Sequence, residues 1–104
     1  IAIARPGMNG KTVDNAARSI IAKEGFGEFF QHSLGHGIGL VAHEKPIITF
    51  RMDDQTIPES CVLAIEPGVY LPEKFGMRVE DMVYVGRGGC KYMTKAPEEI
   101  PVIG

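Results

Sequence analysis

Residues 32–44 read His-Ser-Leu-Gly-His-Gly-Ile-Gly-Leu-Val-Ala-His-Glu, and this stretch contains all 3 histidines of the chain. Imidazole is the commonest metal ligand and the side chain best suited to proton transfer near neutral pH. The glycines around His36 let the backbone pack closely against a site or adopt positive φ. Taken singly, each histidine is more simply explained as a hydrogen-bonded structural residue. The acidic motifs that follow later in the chain make the set a candidate site.

The composition is that of an ordinary globular domain. At 104 residues, 44% hydrophobic and 23% charged, the chain has room for one domain with a modest core. Because a net charge of −2 gives no basic footprint, we expect no nucleic-acid partner. No apolar run approaches the roughly 20 residues of a membrane-spanning helix. We therefore expect no membrane partner.

The cysteines and the first residues bear on location and processing. Cys61 and Cys90 fit reduced thiols in a cytoplasmic protein better than a disulfide scaffold, although a pair between them stays open. We therefore expect a cytoplasmic location. The chain begins Ile-Ala-Ile-Ala without an initiator methionine, and we expect a processed chain or a piece of a longer one.

One amphipathic helix is predicted over residues 12–25. Thr12 is the expected N-cap and Gly25 the expected C-terminal stop. Asp14 suits the first turn, because the helix dipole favours negative charge there. Apolar residues recur at helical spacing and predict a face packed on the core. They are Val13, Ala16, Ala17, Ile20 and Ile21.

The rest of the chain predicts strands joined by turns. The first strand is expected to end in a glycine loop at the histidines, and residues 71–77 are expected to form a hairpin loop. Strands are expected over residues 28–34, 47–50, 61–65, 77–85 and 90–94. One main helix packed on an antiparallel sheet makes the predicted fold class α+β.

Two glutamates are placed where a carboxylate is hard to accommodate. Glu66 ends the apolar strand 61–65, and burying it there is unfavourable unless a cation or hydrogen-bond donors compensate. Side chains alternate along strand 77–85, so one face carries Arg78, Glu80, Met82 and Tyr84. If the two strands pair, Glu66 and Glu80 converge and repel each other. A divalent cation would reverse that repulsion.

The residues alone leave alternatives. An Arg78–Glu80 ion pair on a solvated face would account for Glu80, but it explains neither Glu66 nor the histidines. One imidazole with two carboxylates is a ligand set that suits Mn²⁺, Co²⁺, Zn²⁺ or Fe²⁺. Asp53 and Asp54 are adjacent acids in a polar loop, where carboxylates are usually solvated. We do not assign these two residues to the site.

The chain carries three motifs in order: Gly-His-Gly-Ile-Gly-Leu with a later His-Glu at 35–44, Ile-Glu-Pro-Gly at 65–68, and Gly-Met-Arg-Val-Glu-Asp at 76–81. This combination resembles the pita-bread metallopeptidases, which include methionine aminopeptidases, Xaa-Pro dipeptidases (prolidases) and aminopeptidases P. Arg-Val-Glu-Asp and the early His32 are similar to the proline-specific branch. Methionine aminopeptidases typically have a histidine where this chain has Asp81.

The resemblance implies a metal centre. His36 would bind one metal ion, Glu66 would bind metal, and Glu80 would bridge two ions. The implied cofactors are two divalent ions, most simply Mn²⁺ or Co²⁺, with Zn²⁺ or Fe²⁺ as alternatives. A hydroxide that bridges such ions would attack the peptide bond.

The resemblance also implies catalytic and substrate-binding roles. Glu66 would serve as general acid or base in addition to binding metal. His43 and His32 would contact substrate and stabilise the tetrahedral intermediate. Arg78 would orient the site. The implied substrate is an Xaa-Pro dipeptide or a peptide N-terminus.

The match is incomplete in one respect. The family's metal site uses five protein ligands, and two of them are upstream aspartates in an Asp-x-Gly…Asp pattern. None of this chain's aspartates falls in that pattern: Asp14, Asp53, Asp54 and Asp81. The resemblance therefore implies that residues 1–104 are the C-terminal half of a pita-bread catalytic domain. Alone, such a half is expected to bind metal weakly, to expose apolar surface and to form a homo-oligomer or pair with another chain.

The expected function is therefore metal-dependent hydrolysis of the bond before proline, in the manner of an Xaa-Pro dipeptidase or aminopeptidase P. The nearest enzyme alternative is a methionine aminopeptidase. A non-catalytic pita-bread module that binds peptides or proteins is the alternative from another class. Creatinase-like hydrolysis without metal shares the fold. Both of the last two readings are disfavoured because His36, Glu66 and Glu80 are all present.

Overall fold

One helix, one 3₁₀ turn and seven strands make up residues 1–104 in the computed structural model of the chain. The helical elements are α1 (Gly10–Lys23) and the 3₁₀ turn Gly27–Phe29. The strands are β1 (Gly35–Gly37), β2 (Glu44–Ile48), β3 (Cys61–Ile65), β4 (Gly68–Leu71), β5 (Phe75–Arg78), β6 (Asp81–Gly86) and β7 (Gly89–Tyr92). This arrangement confirms the predicted α+β class with one main helix on antiparallel sheets.

The strands form two antiparallel sheets. The larger has the order β2-β1-β3-β6-β7, and the smaller is the β4–β5 hairpin. Strand β1 lies between β2 and β3, and His36 pairs with Ala64 of β3. In the next pairing, Ile65 of β3 lies opposite Asp81 of β6. Pro46 is tolerated in β2 because that strand is an edge, where a missing N–H breaks no ladder.

The predicted strand 77–85 is wrong as a single element. Its first part pairs with β4 in the hairpin, whereas its second part pairs with β3 in the large sheet. The chain leaves one sheet and enters the other at Val79 and Glu80. Arg78 therefore does not share one continuous strand face with Met82 and Tyr84. Sequence alternation continues across the break, so the pattern gives no sign of it.

The helix begins two residues earlier than predicted. The predicted N-cap Thr12 is wrong: Asn9 is the N-cap, and its side-chain oxygen accepts from the backbone N–H of Lys11 at 2.8 Å. The C-terminal stop at Gly25 is confirmed, with φ of +90°. The N–H groups of Gly25 and Phe26 donate to Ala22 and Ile21, at 2.9 and 3.1 Å. This pair of bonds is the Schellman pattern.

The predicted strand 28–34 does not form. A 3₁₀ turn occupies Gly27–Phe29, and the first strand starts only at Gly35. The first part of the stretch that was expected to be a glycine loop, Gly35–Gly37, is therefore a strand between β2 and β3 of the larger sheet. The segment 30–34 belongs to no strand, and the carbonyls of Phe30 and His32 and the N–H of Leu34 are bonded to side chains of α1 instead.

The other strand predictions hold with small shifts in their bounds. The predicted strand 61–65 is confirmed residue for residue as β3. The predicted strand 47–50 lies three residues earlier as β2, and 90–94 is β7. No helix of this chain combines the length and the apolar character that crossing a membrane requires.

The core lies between α1 and the larger sheet. Its largest fully buried apolar side chains are Phe30, Ile48, Ile57, Leu63, Val83 and Val85. Of the predicted helix stripe, Val13 is buried and Ala17 and Ile21 pack against the core. Ile20 is 68% exposed, so this part of the stripe does not reach the core. The side chain of Ile20 instead lines an apolar groove of about 430 Å³ beside α1.

Candidate active site

A cleft of about 340 Å³ brings together most of the residues that the sequence singled out. The predicted site residues on its wall are His32, His36, His43, Glu66 and Arg78. Three separate parts of the fold supply them: β1 with its flanking loops, the end of β3, and the end of β5. The cleft therefore forms only after the sheets have assembled.

His36 is held in the middle of β1 with one ring nitrogen already used. Its Nδ1 lies 2.8 Å from the carbonyl oxygen of Gly37. A carbonyl can only accept, so Nδ1 carries the hydrogen and donates it. The other nitrogen, Nε2, faces Oε1 of Glu66 at 3.1 Å. Both residues are largely buried, with side-chain exposures of 11% and 17%.

The glycines beside His36 are required by close approach of neighbouring strands. A Cβ on Gly35 would overlap the carbonyl oxygen of Ala64 in β3. A Cβ on Gly37 would overlap the carbonyl oxygen of Lys45 in β2. Neither glycine has positive φ, so packing space and not backbone conformation is the constraint. Of the two reasons for glycine that the sequence left open, close packing is the one that applies.

Glu66 follows directly after β3 and is fixed at its backbone. Its N–H donates to the carbonyl of Leu34 at 2.7 Å, which continues the contact between β3 and the histidine segment. The carboxylate faces His36 on one side and Nε of Arg78 on the other, the latter at 3.8 Å. A buried carboxylate needs such partners, as the sequence indicated.

Arg78 lies between the two glutamates. Its Nη2 is 3.6 Å from Oε2 of Glu80, while its Nε faces Glu66. The Arg78–Glu80 ion pair expected as the simple alternative is therefore present, but it is part of a larger group. Glu66 and Glu80 converge through the guanidinium and not directly. Arg78 and Glu80 are both about half exposed, which weakens this contact by solvent screening.

His43 and His32 also line the cleft. The ring centroid of His43 is 4.2 Å from that of His36. His32 donates from Nδ1 to the carbonyl of Ser33 at 2.8 Å, so its Nε2 accepts from the hydroxyl of Tyr70 at 2.9 Å. The ring of His32 also meets the edge of Phe30, with centroids 5.1 Å apart.

Two residues of the site were missed by the sequence. Tyr70 holds His32, and Arg51 lines the cleft while donating to the carbonyl of Gln31 at 3.0 Å. β4 begins at Gly68, directly after the Glu-Pro motif. A prediction that started a strand there would have placed Tyr70 near the site. No local pattern in the sequence connects Arg51 to the histidines.

The acids left outside the predicted site lie outside the cleft. Asp53 forms an exposed ion pair with Lys11 at 2.6 Å. Asp54 accepts from the side-chain amide of Gln55, and this hydrogen bond lowers the pKa of the Asp54 carboxyl. Asp81 accepts from the Thr94 hydroxyl and the Ala96 N–H, so it fixes the segment after β7.

The donor chemistry at His36 and Glu66 fits a cation. A neutral imidazole with hydrogen on Nδ1 presents a lone pair at Nε2, and a carboxylate presents lone pairs at Oε1. The two atoms then attract each other through a positive charge that they share, either a proton or a metal ion. Glu80 is separated from this pair by Arg78. No group of three or more His, Cys, Asp or Glu side chains is close enough here to hold a metal ion by itself.

Comparison with known proteins places this site in context. The sequence profile described as metallopeptidase family M24 matches residues 1–87. The chain is 44% identical over 97 residues to the Xaa-Pro dipeptidase of Pyrococcus horikoshii. This aligned region covers 93% of this chain and 27% of that protein.

Solved structures agree with the fold. The X-Pro aminopeptidase from Thermotoga maritima MSB8 superposes with a TM-score of 0.88 at 50% identity, over 97% of this chain and 28% of that one. The Xaa-Pro dipeptidase from Bacillus anthracis gives a TM-score of 0.90 at 38% identity, over 99% of this chain and 29% of that one. The chain therefore has part of the pita-bread fold, and it spans less than a third of the length of these relatives.

Proposed function

This chain belongs to metallopeptidase family M24, and from that membership we propose that it is the C-terminal half of the catalytic domain of a proline-specific dipeptidase. The proposed reaction is hydrolysis of the peptide bond before proline in an Xaa-Pro dipeptide. The names of the similar proteins, Xaa-Pro dipeptidase and X-Pro aminopeptidase, support this substrate class over a methionine aminopeptidase. Because the chain spans less than a third of those proteins, the activity is proposed for the whole protein and not for residues 1–104 alone.

The observation that carries the proposal is the His36–Glu66 contact. Two lone-pair-bearing atoms lie 3.1 Å apart in a largely buried position. Such an arrangement is unfavourable without a positive charge between or beside the two atoms. Arg78 supplies one positive charge beside Glu66 but donates no hydrogen bond to Nε2 of His36. We propose that a divalent cation held by His36 and Glu66 supplies the charge that both atoms share.

We assign the metal ligands of this chain to His36, Glu66 and Glu80. The proposed ions are Mn²⁺ or Co²⁺, with Zn²⁺ or Fe²⁺ as alternatives that suit the same imidazole and carboxylate donors. When bound, such ions supply Lewis acidity and activate water near neutral pH. The Nδ1–H bond of His36 to Gly37 fixes the tautomer and leaves Nε2 free for this purpose.

The other residues would handle protons and charge. Glu66 is proposed to take a proton from the attacking water and to pass it to the leaving nitrogen. His43, whose ring lies beside that of His36, is proposed to donate toward the carbonyl oxygen as negative charge develops on it. Arg78 orients Glu66 and Glu80 through its guanidinium. His32 is proposed to contact the substrate at the far end of the cleft.

Assembly and location are also proposals. The apolar groove beside α1, which Ile20 helps to line, is the surface that we expect to be covered by the upstream half of the domain or by another copy in a homo-oligomer. A cytoplasmic location is supported by Cys61 and Cys90, which are both free thiols.

The proposal is tested by hydrolysis of Ala-Pro in the full natural chain, with and without added Mn²⁺ after treatment with a chelator. We expect turnover to depend on the metal and E66Q to lower kcat by about 100-fold or more, as loss of a general acid or base does. E59Q is the matched control, because Glu59 pairs with the exposed Arg87 away from the cleft.

Each other outcome selects another function. Preference for Met-Ala-Ser over Ala-Pro would indicate a methionine aminopeptidase. Hydrolysis that persists after removal of metal would indicate creatinase-like chemistry. Binding of peptides without any turnover, with and without metal, would indicate a non-catalytic module. Any of these three results would overturn the proposed reaction.

A further inference from the structure

A buried ion pair in α1 contacts the segment that carries His32. Asp14 and Arg18 are four residues apart on one helix face, and Nε of Arg18 lies 2.8 Å from Oδ1 of Asp14. Asp14 is fully buried and the Arg18 side chain is 19% exposed. Neither residue lines the cleft. The predicted place of Asp14 in the first helical turn is wrong, because α1 begins at Gly10 and its first turn contains no acidic residue. The helix dipole therefore does not account for this buried carboxylate.

The pair bonds to the backbone of every second residue in segment 30–34. Arg18 donates from Nη1 to the carbonyl of Phe30 and from Nη2 to the carbonyl of His32, the latter at 2.9 Å. Asp14 Oδ2 accepts from the N–H of Leu34 at 2.9 Å. These are the groups that a neighbouring strand would satisfy in a sheet. One ion pair therefore takes the place of a strand along this segment.

The guanidinium also contacts two aromatic rings. Its central carbon lies over the rings of Phe30 and Phe50, 4.1 and 4.0 Å from their centroids. Cation–π contact with two rings restricts the orientation of a planar guanidinium. A lysine ammonium has no plane to stack and cannot donate to Phe30, His32 and Asp14 in the same fixed geometry.

The bonded backbone determines where the side chain of His32 points. With its own carbonyl held toward α1, His32 directs its ring to the hairpin, where Nε2 accepts from Tyr70. We propose that Asp14 and Arg18 are positioning residues that fix His32 in the cleft by binding the backbone of segment 30–34. The consequence for catalysis rests on the proposed function, whereas the consequence for the ring of His32 does not.

The test uses R18K in the full natural chain labelled with ¹⁵N-histidine. The ring nitrogens of His32, assigned with H32Q, report its tautomer and its hydrogen bond to Tyr70 by NMR. We expect the wild type to show a single tautomer with the hydrogen on Nδ1. R18K is expected to fold but to show exchange between tautomers or rotamers at His32. R87K is the matched control, because Arg87 is 92% exposed and pairs only with Glu59.

Kinetics give a second readout that depends on the proposed function. R18K is expected to raise KM for Ala-Pro by about tenfold with a smaller change in kcat, because His32 is proposed to bind substrate. A chain that does not hydrolyse Ala-Pro would contradict the proposed function but leave the NMR result valid. Unchanged His32 signals in folded R18K would overturn the positioning role whatever the activity.

A second variant covers the case in which R18K does not fold. D14N retains an oxygen that accepts from Leu34 but removes the charge that orients Arg18. Folded D14N with the same change in His32 signals would support the proposal, and folded D14N with wild-type signals would overturn it. Loss of the fold in both variants would also overturn it, because the pair would then determine the fold and not the placement of one ring.

Discussion

Nε2 of His36 and Oε1 of Glu66 face each other at 3.1 Å with neither atom carrying a hydrogen in the neutral imidazole state. Nδ1 of His36 is bonded to Gly37, so the ring cannot turn its hydrogen toward Glu66 without losing that bond. With a neutral ring the contact is therefore unfavourable, and it becomes favourable once the two atoms share a cation, whether a proton on Nε2 or a metal ion.

This relationship predicts an unusual response to E66Q. A glutamine amide can donate to Nε2, so the mutation replaces repulsion with a hydrogen bond. At pH 8, where imidazole is ordinarily neutral, we expect the free energy of unfolding of the metal-free full natural chain to rise by about 1 kcal/mol. The rise in melting temperature caused by Mn²⁺ should disappear. Thermal unfolding with and without Mn²⁺ measures both effects.

E59Q, at an exposed ion pair, should change neither quantity. A lower free energy of unfolding for E66Q at pH 8, together with an undiminished response to Mn²⁺, would contradict this account. It would mean that the wild-type contact is a charged salt bridge with no part in metal binding.

Metal binding by residues 1–104 alone should be weak. The chain places only His36 and Glu66 in direct contact, and Arg78 adds positive charge beside them. Titration calorimetry with Mn²⁺ is expected to show no saturable two-ion binding in the micromolar range. A stoichiometric two-Mn²⁺ isotherm at micromolar concentration would show that another copy supplies the missing ligands.

Substitution of Gly35 should destabilise the fold strongly. A Cβ there overlaps the carbonyl oxygen of Ala64, so either β1 or β3 must shift. We expect G35A to lower the free energy of unfolding by about 2–3 kcal/mol, in the range for overpacking a tight interior. Urea denaturation measures the change. G88A is the matched control, because a Cβ on Gly88 meets no atom within 4 Å. Equal stability of the two variants would refute the packing argument.

The thiols should be unreactive near neutral pH. Burial raises the pKa of Cys61 above its ordinary 9.0, with a further contribution from Cys90, and burial also raises the pKa of Cys90. Both are therefore protonated at pH 7, and alkylation by iodoacetamide should be slower than in the unfolded chain. The folded state holds these protons to a higher pH than the unfolded state does. The contribution of the two thiols to the free energy of unfolding is therefore fully present below about pH 9 and is lost as the pH rises above it.

The same two cysteines should not form a disulfide within one chain. Both pair with Val85, from opposite sides of β6. The two cysteines therefore lie two strand spacings of about 4.8 Å apart, or about 10 Å in total. This separation exceeds the roughly 7 Å limit between the Cα atoms of a disulfide. Mild oxidation followed by a thiol count in denaturant should still find 2 thiols. Loss of both without a dimer would contradict the sheet order.

The sequence grouped the candidate site residues more accurately than it predicted the backbone path. His36, Glu66 and Arg78 were assigned to one site because three motifs resemble those of the pita-bread metallopeptidases, and they do line one cleft. Strand pairing alone predicted only that Glu66 and Glu80 converge. The segment before His36 was misread because Phe30, His32 and Leu34 alternate as in a strand, while their actual partners are side chains of a helix. Such a partner is a tertiary contact, and local pattern carries no information about it.

The break at Val79 and Glu80 escaped prediction for a related reason. Both halves of the apparent strand have good strand propensity, and only the choice of partner separates them. The cap at Asn9 was missed because Asn-Gly favours a turn as well as a helix start. In each case two local conformations were compatible with the sequence, and contacts distant in the chain selected one.

The β4–β5 hairpin joins two contacts that have been described separately. Tyr70 of β4 holds His32, and Arg78 of β5 faces Glu66, while Gly68 and Arg78 pair across the same ribbon. A single two-stranded unit therefore supports both ends of the cleft. A displacement of that hairpin relative to the larger sheet would alter the Tyr70–His32 and Arg78–Glu66 contacts together, while the bonds of His32 to α1 and of Glu66 to Leu34 would remain. The position of one hairpin therefore couples the ring of His32 to the carboxylate of Glu66.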